Sequence, residues 1–415
     1  MAGLTKKQIL DKKDDPERLE DLYRSAPENF RETLLSLAKD KPRSKLFEFW
    51  RVRLEYADKA TPLPAVPIAV VLMIATFFGI LVRIPETFLS DVWYYPRFAP
   101  FITIISVATY FLYKKPDRLL INGVVIFSIL TSLYLTVLPE WQSSDSIVMA
   151  LIHLPLTTLA VLGLCFVQQE WRKTEQRIAF IRFCGELFVL GSLILIGGGV
   201  LTAFALGLFE LMGVDVGEWY LENVGVIGMV STPLVAAYLY DSILKRKLYI
   251  MVLLSKIFSP LFCIFVFSYI AVMMIEGHSP FVNREFLVVF NGLLILILGI
   301  VIFSVATRGR NSKIYIIDYV NILLVSATIL INVLALSAIT FRLFEYGITP
   351  NRFCVLGVNW IVFIHLIIIV IAYVRVITHQ SDFDFLRKKV VGYFPVYCFW
   401  FIFVTYILPL IFGFI

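Results

Sequence analysis

IDYVNILLVSATILINVLALSAITF, residues 317–341, is an apolar run long enough to cross a bilayer that nevertheless carries one aspartate and two asparagines. A helix of that length rises about 37 Å, against a hydrocarbon core of about 30 Å. Its four polar side chains, Asp318, Asn321, Thr328 and Asn332, are three, seven and four residues apart. At 100° per residue they fall within a sector of about 80° on one helix face. A carboxylate at the centre of a bilayer costs a few kcal/mol, so such a face must meet other helices or water.

Outward from this run the chain repeats the pattern. Apolar stretches at 65–84, 98–113, 119–138, 146–168, 183–209, 224–241, 250–275, 286–306, 317–341, 353–375 and 394–415 predict eleven transmembrane helices. The runs are continuous and do not alternate with a two-residue period, which favours helices over a barrel. The chain has 415 residues, 59% of them hydrophobic, and a mean hydropathy of +0.83. A soluble domain is nearer 45–50% apolar. The expected class is therefore an all-α polytopic membrane protein.

Basic residues orient the predicted spans. One set of connections carries Lys114, Lys115 and Arg118, then Arg172, Lys173 and Arg177, then Lys245, Arg246 and Lys247, then Arg308, Arg310 and Lys313, and last Arg387, Lys388 and Lys389. The alternate connections are poor in Lys and Arg; the stretch after Phe209 holds Glu210, Asp215, Glu218 and Glu222 with no base. By the positive-inside rule the N-terminus is cytoplasmic and, after eleven spans, the C-terminus is outside. Trp93, Trp141, Trp171 and Trp219 fall where the headgroup layers are expected. Gly197-Gly198-Gly199 and Pro233 read as close helix packing and simple kinks, and helices broken as in transporters would look the same.

Residues 1–60 differ in kind. They hold 14 Lys and Arg and 12 Asp and Glu, and no compact apolar core of a signal peptide. Three amphipathic helices are expected: one after Asp15 with Pro16 in its first turn and Leu19, Leu22 and Tyr23 on its apolar side; one from Pro27 with Phe30, Leu34, Leu35 and Leu37; and one from about Ser44 to Tyr56 with Leu46, Phe47, Trp50 and Leu54. Such a segment reads as a cytosolic helical cap, packed on itself or docking a protein partner.

Catalytic and metal-binding patterns are missing. There is no GxSxG, HExxH, P-loop or GxGxxG, and the four histidines and five cysteines are scattered singly. No cofactor and no metal are expected. A net charge of +6 reports loop orientation in such a chain and gives no ground for a nucleic-acid partner; membrane lipids are the expected partners.

Between the ninth and tenth runs stands Arg342-Leu-Phe-Glu-Tyr-Gly-Ile-Thr-Pro-Asn-Arg352. Gly347 suits a positive φ at a helix end, and Thr349-Pro350 reads as the cap and first residue of the next helix. The two arginines run against the charge trend of their side of the membrane, with Glu345 the nearest acidic partner; lipid phosphate or an anionic substrate would also suit them. The pattern R-x-x-x-Y-G-x-T-x-x-R, here Arg342, Tyr346, Gly347, Thr349 and Arg352, resembles the signature stretch of the domain-of-unknown-function family 4153. The resemblance is clearest over residues 240–380 and implies a multi-spanning bacterial inner-membrane protein with no established activity or catalytic residues.

Two functions follow as expectations. Transport or lipid handling would use Asp318, Asn321, Thr328 and Asn332 as a substrate path, with Asp318 titrating; the same face would equally serve to fasten neighbouring helices. A signalling or scaffolding role would instead act through residues 1–60. A membrane-embedded transferase would need Arg342 and Arg352 to face a pocket with an acid or base.

Overall fold

The computed structural model describes all residues except 1–8, 13–14, 26, 41–44, 60–65, 84–87, 141, 143, 245–249, 277–283 and 310–311. Trp141, Lys245, Arg246, Lys247 and Arg310 thus lie outside the described residues, as does the side chain of Phe47. The described residues are helical with no strand. They fall into two compact units, Met1–Ala65 and Val66–Ile415.

The first unit holds α1 (Pro16–Ser25), α2 (Pro27–Asp40) and α3 (Lys45–Lys59). Proline opens both α1 and α2, where its missing N–H is no loss. The Asp15 carboxylate accepts from the Arg18 N–H at 3.2 Å, capping α1. The apolar stripes read from the sequence meet in one small core of Leu19, Phe30, Leu34, Leu37, Trp50 and Leu54. Trp50 lies 5.2 Å from the Phe30 ring and 5.3 Å from that of Tyr23, a spacing worth about 0.5–1.5 kcal/mol per aromatic pair.

The second unit runs α4 (Ile68–Arg83), α5 (Asp91–Lys114), α6 (Arg118–Val137), α7 (Asp145–Val167), α8 (Thr174–Leu211), α9 (Gly217–Ile243), α10 (Ile250–Glu276), α11 (Arg284–Ala306), α12 (Ile316–Tyr346), α13 (Pro350–Ile377), α14 (Phe383–Gly392) and α15, residues 394–411. Seven described helices are long and apolar enough to cross a membrane: α6, α7 with the turn that follows it, α8, α9, α12, α13 and α14 continuing into α15. Shorter apolar helical stretches lie at Ile68–Arg83, Lys256–Ser268 and Phe290–Ala306.

Two separate apolar cores organise this unit. One gathers α4 to α9 around Phe101, Tyr110, Phe111, Leu154, Phe183 and Leu234. The other gathers α10 to α14 around Phe290, Ile297, Val325, Ile331, Leu366 and Tyr373. Smaller clusters join them, one with Cys354, Val404 and Leu408, the other with Ile178, Ile181, Ala306 and Val391.

Neither the glycine triplet nor Pro233 breaks its helix. α8 runs unbroken through Gly197, Gly198 and Gly199, whose added Cβ atoms would meet nothing within 4 Å. Pro233 likewise sits inside the helix Val226–Tyr238. The irregularities are π turns at Leu221–Gly225, Leu239–Ile243 and Phe403–Ile407.

Candidate functional site

Asp318 stands in the first turn of α12, at the end of the helix nearest the basic connection. Its Oδ2 accepts from the Tyr315 backbone N–H at 2.8 Å, closing the helix start. The same oxygen forms an ion pair with Arg308. The Arg308 guanidinium lies between two rings, 4.7 Å from Tyr315 and 4.9 Å from Phe383. Both partners are withdrawn from solvent, and the second carboxylate oxygen, Oδ1, has no partner among the described residues.

The other three members of the polar face are fully buried. Asn321 donates to Ser304 Oγ of α11 at 2.8 Å and to the Tyr373 hydroxyl of α13 at 3.1 Å. Thr328 returns its hydroxyl to the Leu324 carbonyl of its own helix at 2.6 Å. Asn332 donates to the Asn359 carbonyl at 3.2 Å, and the Asn359 side chain donates to Asn291 Oδ1 of α11 at 2.8 Å. The stripe is thus brought together in a seam where α11, α12 and α13 meet. None of its four residues lines the hollows of this unit beside Arg97, between α13 and α14, or between α7, α8 and α15.

The turn after α12 takes the form read from the sequence. Gly347 has φ 79°, and the Thr349 side chain accepts from the Arg352 N–H at 3.3 Å with Pro350 opening α13. Arg352 departs from expectation: its Nη1 donates to the carbonyls of Tyr346 and Gly347 at 2.7 and 2.8 Å, and its guanidinium lies 5.6 Å from the Tyr346 ring. It caps the C-terminus of α12 and is not paired with Glu345. Arg342 is half-buried on the last turns of α12. Four of the five motif residues therefore shape the turn itself. Glycine supplies the backbone angle, threonine one cap and arginine the other, with tyrosine beneath it.

Several groupings had no sequence signal. Lys114, counted as a loop charge, forms a buried ion pair with Asp241 of α9, and the Tyr110 hydroxyl donates to the same carboxylate at 2.9 Å. Arg97 is fully buried on α5 and donates to the Leu138 and Pro139 carbonyls that end α6, at 3.1 and 2.5 Å. His153 Nε2 and Cys354 Sγ lie 3.7 Å apart though separated by 201 residues. No group of three or more His, Cys, Asp or Glu among the described residues could hold a metal ion.

The largest of the three hollows has a volume of about 580 Å³ and opens between α7, α8 and α15. Along α7 it is lined from Thr157 through Leu164 to Val167, about 15 Å of helix and so half the depth of a bilayer's hydrocarbon core. Phe180 of α8 and Phe399 and Ile402 of α15 form the facing wall. Arg177 and Trp171 line it at the basic connection. Arg177 Nε donates to the Trp171 carbonyl at 2.7 Å and Nη1 to the Val391 carbonyl at 3.1 Å. The adjoining π turn bonds both neighbours of the cleft: Thr405 Oγ1 meets Thr157 Oγ1 at 2.8 Å, and the Thr405 carbonyl accepts from the Tyr134 hydroxyl at 2.7 Å. A second hollow of about 370 Å³ lies beside Ser90, Trp93, Arg97 and Glu140. A third, of about 220 Å³, lies between α13 and α14.

The chain matches no protein-family model, no curated protein and no solved structure.

Proposed function

We propose that this chain is a polytopic helical protein of a bacterial cytoplasmic membrane that handles lipid in the cleft between α7, α8 and α15. The membrane reading is supported by the surface of its helices: in the most apolar window of α8 only 6% is buried inside the protein, and Leu193, Ile196, Leu201 and Phe204 all face outward. Apolar patches of that extent are not carried by soluble proteins. In the proposed topology eleven helices cross, with the N-terminus inside and the C-terminus outside, so that the basic connections share the cytoplasmic face.

The observation that carries lipid handling is the cleft itself. It is apolar, runs along about 15 Å of α7, and carries a guanidinium and an indole at the end by the basic connection, the pairing that suits a headgroup boundary. Under this reading the α12 face of Asp318, Asn321, Thr328 and Asn332 is a fastening between helices and not the path. The family likeness carried by Arg342, Tyr346, Gly347, Thr349 and Arg352 belongs to the same proposal.

The test is native mass spectrometry of the full chain released from nanodiscs, beside a variant in which Ala160→Trp fills the cleft. The wild type retains lipid and the variant releases it. Equal retention by both, or none by the wild type, defeats the reading.

A second reading has its own observation: residues 1–65 possess a separate core and so suit a docking module. It requires that removing them abolish function in cells while residues 66–415 still insert.

A further inference from the structure

We propose that the corner between the end of α13 and α14 is a second lipid site, selective for an anionic phospholipid of the leaflet facing the basic connections. This inference rests on the reading of the chain as membrane-spanning. It does not use the α7–α8–α15 cleft.

Arg375 occupies the last turn of α13 and Lys389 the last turn of α14. Both reach the same ring: the Arg375 guanidinium carbon and the Lys389 ammonium each lie 5.5 Å from the centroid of Phe385. The ring face draws each cation, so two like charges are gathered about one ring and line the same hollow. Neither has a carboxylate partner among the described residues. Of the acids at the start of α14, Asp384 pairs with Lys388 at 2.7 Å and with Arg387 at 3.6 Å, and Asp382 accepts from the Phe385 N–H at 2.9 Å. A pair of cations gathered without a counter-ion is a site for an anion.

What makes the anion a lipid is the floor. The hollow of about 220 Å³ between these cations is otherwise lined by Ile368, Ile371 and Ala372 of α13 and by Phe385. Ile371, half exposed, continues the outward apolar face of α13 toward Ile364. α14 is amphipathic, burying Phe383, Leu386, Val390 and Val391 while Lys388 and Lys389 stay exposed. A phosphate between Arg375 and Lys389 would leave its acyl chains against that isoleucine face. Free phosphate would meet the cations but gain nothing from the floor.

Delipidated full-length protein in detergent, titrated with phosphatidylglycerol or phosphatidylcholine of matched chains and read by native mass spectrometry, tests this. Two interfacial cations favour phosphatidylglycerol by roughly tenfold or more. Arg375→Gln with Lys389→Gln abolishes the preference, whereas Arg375→Lys with Lys389→Arg keeps it and controls for folding. Excess inorganic phosphate leaves the preference unchanged, and so does Ala160→Trp. The proposal falls if the double Gln variant keeps the preference, if phosphate competes it away, or if Ala160→Trp removes it. A wild-type chain that never fractionates with membranes overturns this site and the proposed function together; a membrane-inserted chain with no lipid preference overturns this site alone.

Discussion

Asp318 and Arg308 illustrate how the same residues admit two fates. From sequence, Asp318 is a titratable group in an apolar run, and a path or a fastening would place it on the same helix face. In the fold it stands in the first turn of α12 and pairs with Arg308. Losing one partner of such a pair leaves the other charge buried and costs about 3–5 kcal/mol, while replacing both with apolar groups is often neutral. Asp318→Asn is therefore expected to lower the thermal unfolding temperature in detergent sharply, and Arg308→Met with Asp318→Leu to recover most of it. An Asp318→Asn protein that melts with the wild type but loses function would return Asp318 to a substrate path. Gly357 poses a simpler case. A Cβ there would overlap the Trp400 ring packed against it, so Gly357→Ala is expected to cost about 1–3 kcal/mol by overpacking. Trp400→Phe should relieve part of that cost in the double variant. Additive losses in the same melting assay would mean the two residues do not touch. No spacing rule could have found this contact, because it joins α13 to α15 through side-chain packing between residues far apart in the chain.

At the level of elements, local punctuation was readable and long-range consequence was not. The turn at Gly347, Thr349 and Pro350 was legible because each residue acts on its own backbone. The capping by Arg352 was not, since a nearby acid such as Glu345 is the partner that charge alone suggests, and backbone carbonyls leave no mark in the sequence. Arg97 does the same for α6, donating to the Leu138 and Pro139 carbonyls; a guanidinium that caps a helix end recurs on the side of the second unit opposite the basic connections. The glycine triplet admitted both a continuous and a broken helix for a different reason. Glycine lowers helix propensity by about 1 kcal/mol per residue, but a broken backbone in hydrocarbon leaves N–H and C=O groups unsatisfied at several kcal/mol each. α8 continues, as the second effect requires in the proposed membrane setting. Replacing Gly197, Gly198 and Gly199 with Ala is thus expected to leave the protein as stable or up to about 1 kcal/mol per site more stable. A clear loss of melting temperature in nanodiscs would show that a close approach to these glycines exists in lipid.

In the membrane topology proposed above, the molecule as a whole turns on how many helices cross. Seven helices satisfy length and composition, and the remaining four long ones form two hairpins, α4 with α5 and α10 with α11. The count matters less for the termini than it first promises, because removing a hairpin removes two crossings and leaves every later connection on its own side. The basic connections, the cleft mouth at Arg177 and the Arg375–Lys389 corner share one face in either case. Only the tips of the two hairpins change sides. Hydropathy in the sequence could not separate these cases, since α5 carries Asp91, Arg97 and Lys114 within one helix. For α5 the proposal of eleven has this support: Arg97, fully buried, donates to the Trp93, Leu138 and Pro139 carbonyls and Lys114 is paired with Asp241, so two of the charges that count against α5 in a bilayer are turned into the bundle. Tyr110 and Phe111, also on α5, lie in the core shared with α9, so in the proposed topology α5 lies as deep as α9. A single cysteine at Ser90, in a background without the five native cysteines, is therefore expected to react with a membrane-impermeant maleimide added outside intact cells. Labelling only after the membrane is permeabilised would put Ser90 on the cytoplasmic side and remove the α4–α5 hairpin from the crossings.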